Sequence, residues 1–152
     1  MSLFKLNADA SEVLSQELLD HLLKQFPLGS STIHGEDHWM RVLYNGRMLA
    51  KETGANLKVV ELFALIHDCQ RDNDDYDLEH GRLAAEYVND IYDEWLDIDE
   101  KEKELLIEAC KYHSDGLIDA DITVQTCWDS DRLDLGRVGI KPSSDKLCTE
   151  VA

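Results

Sequence analysis

The stretch Asn56-Leu57-Lys58-Val59-Val60-Glu61-Leu62-Phe63-Ala64-Leu65-Ile66-His67-Asp68 decides how this chain is read. Asn56 is a residue type whose side chain accepts a backbone N–H at a helix start. Val60, Phe63, Ala64 and His67 follow at spacings of three and four, so the segment predicts a helix with an apolar stripe. The stripe ends in ionisable groups, His67 and, four residues after Ala64, Asp68. An imidazole or carboxylate in apolar surroundings costs several kcal/mol unless it is hydrogen-bonded, paired or bound to a metal. The apolar run Val59 to Ile66 contains Glu61 and falls far short of the roughly 20 residues that cross a bilayer, so no membrane segment is expected.

The same helical spacing continues on both sides. Upstream, Asp9 with Glu12 reads as a capping box before Leu14, Leu18, Leu19, Leu22, Leu23 and Phe26, predicting a helix over about 9–26 that stops at Pro27-Leu28-Gly29. A second helix starts near Gly35 and ends at Thr53-Gly54, with His38, Val42, Asn45 and Leu49 inward and Trp39 and Leu43 alongside. Downstream of a polar loop from Asp72 to Asp77, a fourth helix carries His80, Ala84, Tyr87, Val88 and Ile91. Asp99 with Glu102 opens a fifth, which lines up Leu105, Leu106, Ala109, Cys110 and His113 before Gly116. Thr123 is read as the cap of a sixth, with Val124, Cys127, Trp128, Asp131 and Leu135 at helical spacing up to Gly136. Sustained strand-type alternation is scarce. The expected fold is all-α, a compact bundle of about six helices, with a non-helical tail over 137–152 and one domain spanning 1–152.

Composition limits the partners. With 32 acidic and 15 basic residues the formal charge is -17, which repels a phosphate backbone and argues against duplex nucleic acid. A small phosphorylated molecule is still compatible, because a bound divalent ion can reverse the local sign of charge. Cys69, Cys110, Cys127 and Cys148 form no C-x-x-C pair and the N-terminus does not read as a secretion signal, so reduced thiols and a cytoplasmic location are expected. A homodimer is compatible with this reading.

One buried histidine is usually an ordinary core residue. Here His38, His67 with Asp68, His80, His113 and Asp131 sit at inward positions of five different predicted helices, and a common centre explains them together. Imidazole and carboxylate donors without thiolate suit an open, roughly octahedral Mn, Fe, Co, Ni, Mg or Zn site. His34 stands one turn before His38, and Arg71 lies three residues beyond Asp68 with a guanidinium suited to bidentate phosphate contact. Arg41 and Arg132, each next to a candidate ligand turn, rank below Arg71 because local carboxylates are plentiful.

His38 in H-G-E-D-H-W-M-R-V, the doublet His67-Asp68 and Asp131 in D-S-D-R-L-D resemble the HD-domain metal-dependent phosphohydrolases over about residues 30–140. The resemblance implies that His38, His67, Asp68 and Asp131 ligate one divalent metal, with Asp129 beside them as a substrate-side candidate. It implies that His80 in E-H-G-R-L-A-A and His113 in Y-H-S-D-G either hold a second ion or face the substrate. Asp68, His80 and His113 are then the expected catalytic residues, and Arg71, His34 and Asp129 the expected substrate contacts. The resemblance does not reach a particular branch. Alarmone hydrolases carry a Glu-Asp pair where this chain has Asp68-Cys69-Gln70-Arg71-Asp72, nucleotidase-type members place an acid at the position of Arg71, and no G-Y-P follows the doublet. The expected activity is hydrolysis of a small phosphorylated metabolite or nucleotide. The alternatives are a di-iron oxygenase of the same fold and a metal- or nucleotide-binding module without turnover.

Overall fold

Helix α3 (Leu57–Ile66) is the axis of the computed structural model, which describes residues 11–29, 32–73, 79–135 and 144–152. Around it lie α1 (Gln16–Gln25), α2 (Glu36–Thr53), α5 (Glu100–Tyr112) and α6 (Ile122–Arg132), while α4 (His80–Trp95) pairs with α5. No strand occurs among the described residues, and no helix there is long and apolar enough to cross a membrane. The tail expectation needs one addition, a 3-10 turn at Ser144–Lys146.

The stripe expected on α3 proves to be a whole surface, since every residue from Val59 to Ile66 is buried. Burying each large apolar side chain there contributes about 1.5–3 kcal/mol. Glu61 is tolerated because Arg47 Nε donates to one carboxylate oxygen at 2.7 Å and the Ser11 hydroxyl to the other at 2.8 Å. Both core indoles are satisfied as well, Trp39 Nε1 by the His34 carbonyl at 2.8 Å and Trp128 Nε1 by the Ala109 carbonyl at 3.0 Å.

Two glycines set how closely the helices pack. A Cβ on Gly46 would meet Val60 Cγ1 at 2.6 Å, and one on Gly81 would meet the carbonyl oxygens of Lys111 and Cys110 at 2.8 and 2.9 Å. The second contact draws the start of α4 onto the end of α5, which is where His80 and His113 stand.

The helix starts differ from expectation in two places. Helix α1 begins at Gln16 rather than near residue 9: Ser11 Oγ takes the N–H groups of Val13 and Leu14 into a turn, and Ser15 then caps the helix through Leu18 N. Asp9 lies outside the described residues, and Glu12 is largely exposed and 3.7 Å from Lys58 Nζ. Helix α6 is capped by Asp121, not Thr123; the Thr123 hydroxyl instead accepts the Asn56 N–H at 3.0 Å, joining the starts of α6 and α3. The Asn56 cap and the Asp99–Glu102 capping box form as the sequence indicates. Helix α6 ends at Arg132, and Gly136 lies outside the described residues, as does most of the loop expected from Asp72 to Asp77.

Candidate metal centre

Five helices bring ionisable side chains to one end of the bundle. His38 is in the first turn of α2, His80 is the first residue of α4, His67 and His113 are the C-caps of α3 and α5, and Asp131 lies in the last turn of α6. After α3 the chain turns sharply, with Cys69 N bonded to the Ile66 carbonyl and Arg71 N to the Asp68 carbonyl, both at 3.0 Å. Gln25 Nε2 at the end of α1 donates to the Cys69 carbonyl at 3.2 Å, fixing that turn from the other side.

The donor atoms form two groups that share Asp68. In the first, His38 Nε2 and His67 Nε2 are 3.0 Å apart, Asp68 Oδ2 is 3.3 and 3.4 Å from them, and Asp131 Oδ1 is 3.1 and 3.5 Å from them. In the second, His80 Nε2 and His113 Nε2 are 2.9 Å apart, with Asp68 Oδ1 at 3.4 and 3.3 Å. Two donors each about 2.1 Å from an ion lie about 3.0 Å apart at a right angle and about 3.4 Å apart at the tetrahedral angle. The spacings within His38, His67 and Asp68, and within Asp68, His80 and His113, are those of a coordination shell, with Asp131 beside the first trio, so the residues present fit a divalent metal.

The imidazoles of the first group are oriented for that task. The Phe63 and Ala64 carbonyls accept from His67 Nδ1 at 3.0 and 3.1 Å, which leaves Nε2 facing the group. Asp134 Oδ2 takes His38 Nδ1 at 2.7 Å and is itself steadied by Arg41 Nε at 2.8 Å on Oδ1. In the second group the Cys110 carbonyl holds His113 Nδ1 at 2.7 Å.

Charge follows the geometry. Burial alone would raise the Asp68 carboxyl, but His67, His113, His34 and His38 around it hold it well below the usual carboxylate range. Burial is likewise outweighed at Asp131, which His38 and His67 hold down. Burial would lower His38, yet Asp131, Asp134 and Asp68 raise it to about 10. His113 is raised against burial, mainly by Asp68. The protonated His38 ring thus occupies the electrostatic role of a cation among ionised carboxylates, and a metal held there would displace its Nε2 proton.

The remaining expected site residues are placed as follows. His34 Nδ1 is 3.4 Å from Asp68 Oδ2, so it joins the edge of the first group. Arg71 is buried beside the second group, with Nε donating to the Asn73 carbonyl at 2.9 Å and Nη1 3.2–3.3 Å from the two nitrogens of His80. Asp129 is turned to another purpose: its two carboxylate oxygens accept the N–H groups of Cys148 and Thr149 at 2.6 and 2.8 Å, which clamps the tail to α6. Arg132 also faces the tail, donating to the Lys146 carbonyl at 3.0 Å. Sequence reasoning missed Asp134, although it closes the D-S-D-R-L-D segment, and Ser114, whose hydroxyl is 3.1 Å from His80 Nε2.

The family model for the HD domain matches residues 35–136, a span that holds His38, the His67-Asp68 doublet and Asp131, and the chain belongs to this family. No curated protein and no solved structure matches it. Members of the HD-domain family are generally metal-dependent phosphohydrolases.

Proposed function

We propose that this chain is a metal-dependent phosphohydrolase acting on a small phosphorylated metabolite or nucleotide. One observation carries the reading: Nε2 of His38 and of His67 and Oδ2 of Asp68 converge at coordination spacing, Asp131 Oδ1 lies 3.1 and 3.5 Å from the two imidazoles, and the Arg71 guanidinium is buried alongside. His38, His67, Asp68 and Asp131 would hold the ion, drawn from Mn, Fe, Co, Ni, Mg and Zn. When bound, it supplies Lewis-acid polarisation of a phosphate oxygen and activation of water.

The chain's own groups do the rest. Arg71 is always protonated and supplies a fork of N–H donors to phosphate oxygens, which an otherwise acidic chain needs at this point. His113, with Nδ1 fixed on the Cys110 carbonyl, presents Nε2 to the site and can hand a proton to the leaving oxygen. His80 Nε2, at 2.9 Å from it, can receive or resupply that proton. His34 borders Asp68 at the substrate side.

The test is to strip the protein of metal, reload it with each ion separately, and screen nucleotides, sugar phosphates and phosphodiesters. Metal-dependent hydrolysis of a phosphate ester that disappears in Asp68→Ala is expected; no turnover of any phosphate ester by any reloaded form would sink the proposal. The sharing of Asp68 between two donor groups favours one other reading, a di-iron oxygenase. Two irons per chain with a mixed-valence EPR signal would support that alternative.

A further inference from the structure

We propose that the outer face of α2 is a dimerisation surface, on which α2 of a second copy of this chain packs antiparallel about a two-fold axis at Tyr44. This surface owes nothing to the reaction proposed above.

Helix α2 leaves large apolar side chains in the open. Tyr44 is 65 % and Met48 52 % exposed, and Met40, one turn before Tyr44, is partly buried. One exposed apolar residue is ordinary, but three at intervals of four on one helix form a continuous ridge. Beside Tyr44 opens a groove of about 610 Å³ whose lining includes Met40, Arg41, Asn45 and Leu133. The face thus offers both a projecting ring and a recess to receive one.

Charge indicates what covers it. The chain carries -17 overall, so two copies repel one another over most of their surface. Helix α2 is the exception, because Glu36, Asp37 and Glu52 are matched in number by Arg41, Arg47 and Lys51. Arg41 and Arg47 are already paired within the chain, with Asp134 at 2.8 Å and Glu61 at 2.7 Å. Asp37 and Lys51, at opposite ends of the ridge, are exposed and form no ion pair among the described residues.

The order of these residues suits a second copy. Asp37, Met40, Tyr44, Met48 and Lys51 follow one another at intervals of three, four, four and three. At 3.6 residues per turn all five lie within about 40° of Tyr44 around the helix. The spacing reads the same in both directions, with an acid at one end and a base at the other. An antiparallel copy therefore sets Asp37 against the partner's Lys51, Met40 against the partner's Met48 and Tyr44 against the partner's Tyr44, and the two-fold axis repeats the outer contacts. A parallel copy would bring like charges together at both ends. Arg41 falls opposite the partner's Arg47 in the antiparallel pair, but each arginine keeps its own carboxylate. The apolar ridge supplies the attraction, while the exposed ion pairs, individually weak, fix direction and register.

The experiment is sedimentation equilibrium of the full chain over a range of concentrations, beside variants that circular dichroism shows to be folded. The wild type is expected to be a dimer. Asp37→Lys and Lys51→Asp each place like charges opposite one another twice and should weaken dimerisation at least about tenfold. The double variant, with the charges exchanged, should recover it. A second readout does not depend on charge: Tyr44→Cys should form a disulfide-linked dimer under mild oxidation that the wild type, with its native cysteines, does not form. A wild type that is monomeric at every concentration, a dimer untouched by both single reversals, single losses that the exchange does not restore, or no cross-link through Tyr44→Cys would each overturn the inference.

Discussion

In the group formed by His38, His67, Asp68 and Asp131, each imidazole has its outer nitrogen fixed by an acceptor: Asp134 for His38 at 2.7 Å, and the Phe63 and Ala64 carbonyls for His67 at 3.0 and 3.1 Å. In the group formed by Asp68, His80 and His113, the imidazole at the start of α4 instead lies under an arginine. The residue types are nearly the same, and His113 is backed by the Cys110 carbonyl much as His67 is by its own, so the contrast lies at His80. A carboxylate or carbonyl behind a histidine makes its other nitrogen a better ligand, whereas a fixed positive charge beside it favours anions. In the proposed function the first group holds the cation, and the second faces what that cation binds.

Substitutions that break the first group should have the largest effect. His67→Ala is expected to lose bound metal and hydrolytic activity together, measured on the same preparation by elemental analysis and phosphate release. Next comes the second group: Arg71→Ala removes a charge-assisted contact to phosphate worth about 1.5–3 kcal/mol, so kcat/KM should fall about ten- to a hundredfold, chiefly through KM, with metal retained. Asp134→Asn tests the support behind His38 and should weaken metal affinity by about ten- to a hundredfold, read by calorimetric titration; an unchanged affinity would mean that Asp134 only pairs with Arg41.

Two smaller effects sharpen the contrast. Gly81→Ala forces α4 off α5, because its Cβ would meet backbone carbonyl oxygens at 2.8 and 2.9 Å. We expect a stability loss of about 1–3 kcal/mol by denaturant unfolding, with the His80–His113 contact disturbed and the first group's metal retained. The pH dependence of the metal-free chain follows from the charges. The folded pKa of His38 is raised to about 10, so its contribution to stability is fully present below its ordinary value of 6.5 and is lost as pH climbs towards 10. Asp68 and Asp131 are depressed, so theirs is present above 3.8 and is lost as pH falls below it. Thermal stability in chelator should therefore fall at both ends, and saturating metal should relieve the alkaline loss, since His38 then has no proton to lose at Nε2.

The parts legible in the sequence were those with local causes. Asn56 and the Asp99–Glu102 pair mark their helices because a cap acts within three residues, and the ligand candidates were visible as ionisable groups on apolar stripes. Where two capping residues stood close together, as with Asp121 and Thr123, the choice depended on a tertiary partner, the Asn56 N–H, that no local pattern reveals. Helix α1 was read too long because the hydroxyls of Ser11 and Ser15 draw backbone N–H groups into turns that compete with the helix. Asp134 escaped notice because it lies past the end of α6 and its partner His38 is 96 residues away. Asp129 looked like a site residue for the reason Asp131 did, a carboxylate at a core position, but its partners are tail backbone groups with no sequence signature.

The central claim, that these four side chains hold the ion on which hydrolysis depends, is tested most directly by Asp68→Ala. The protein is purified without metal, confirmed as folded by circular dichroism, and assayed beside the wild type on the best phosphate ester from the screen, with bound metal counted in each sample. The account predicts that the variant retains neither metal nor turnover; full activity in a folded, metal-free Asp68→Ala chain would contradict it.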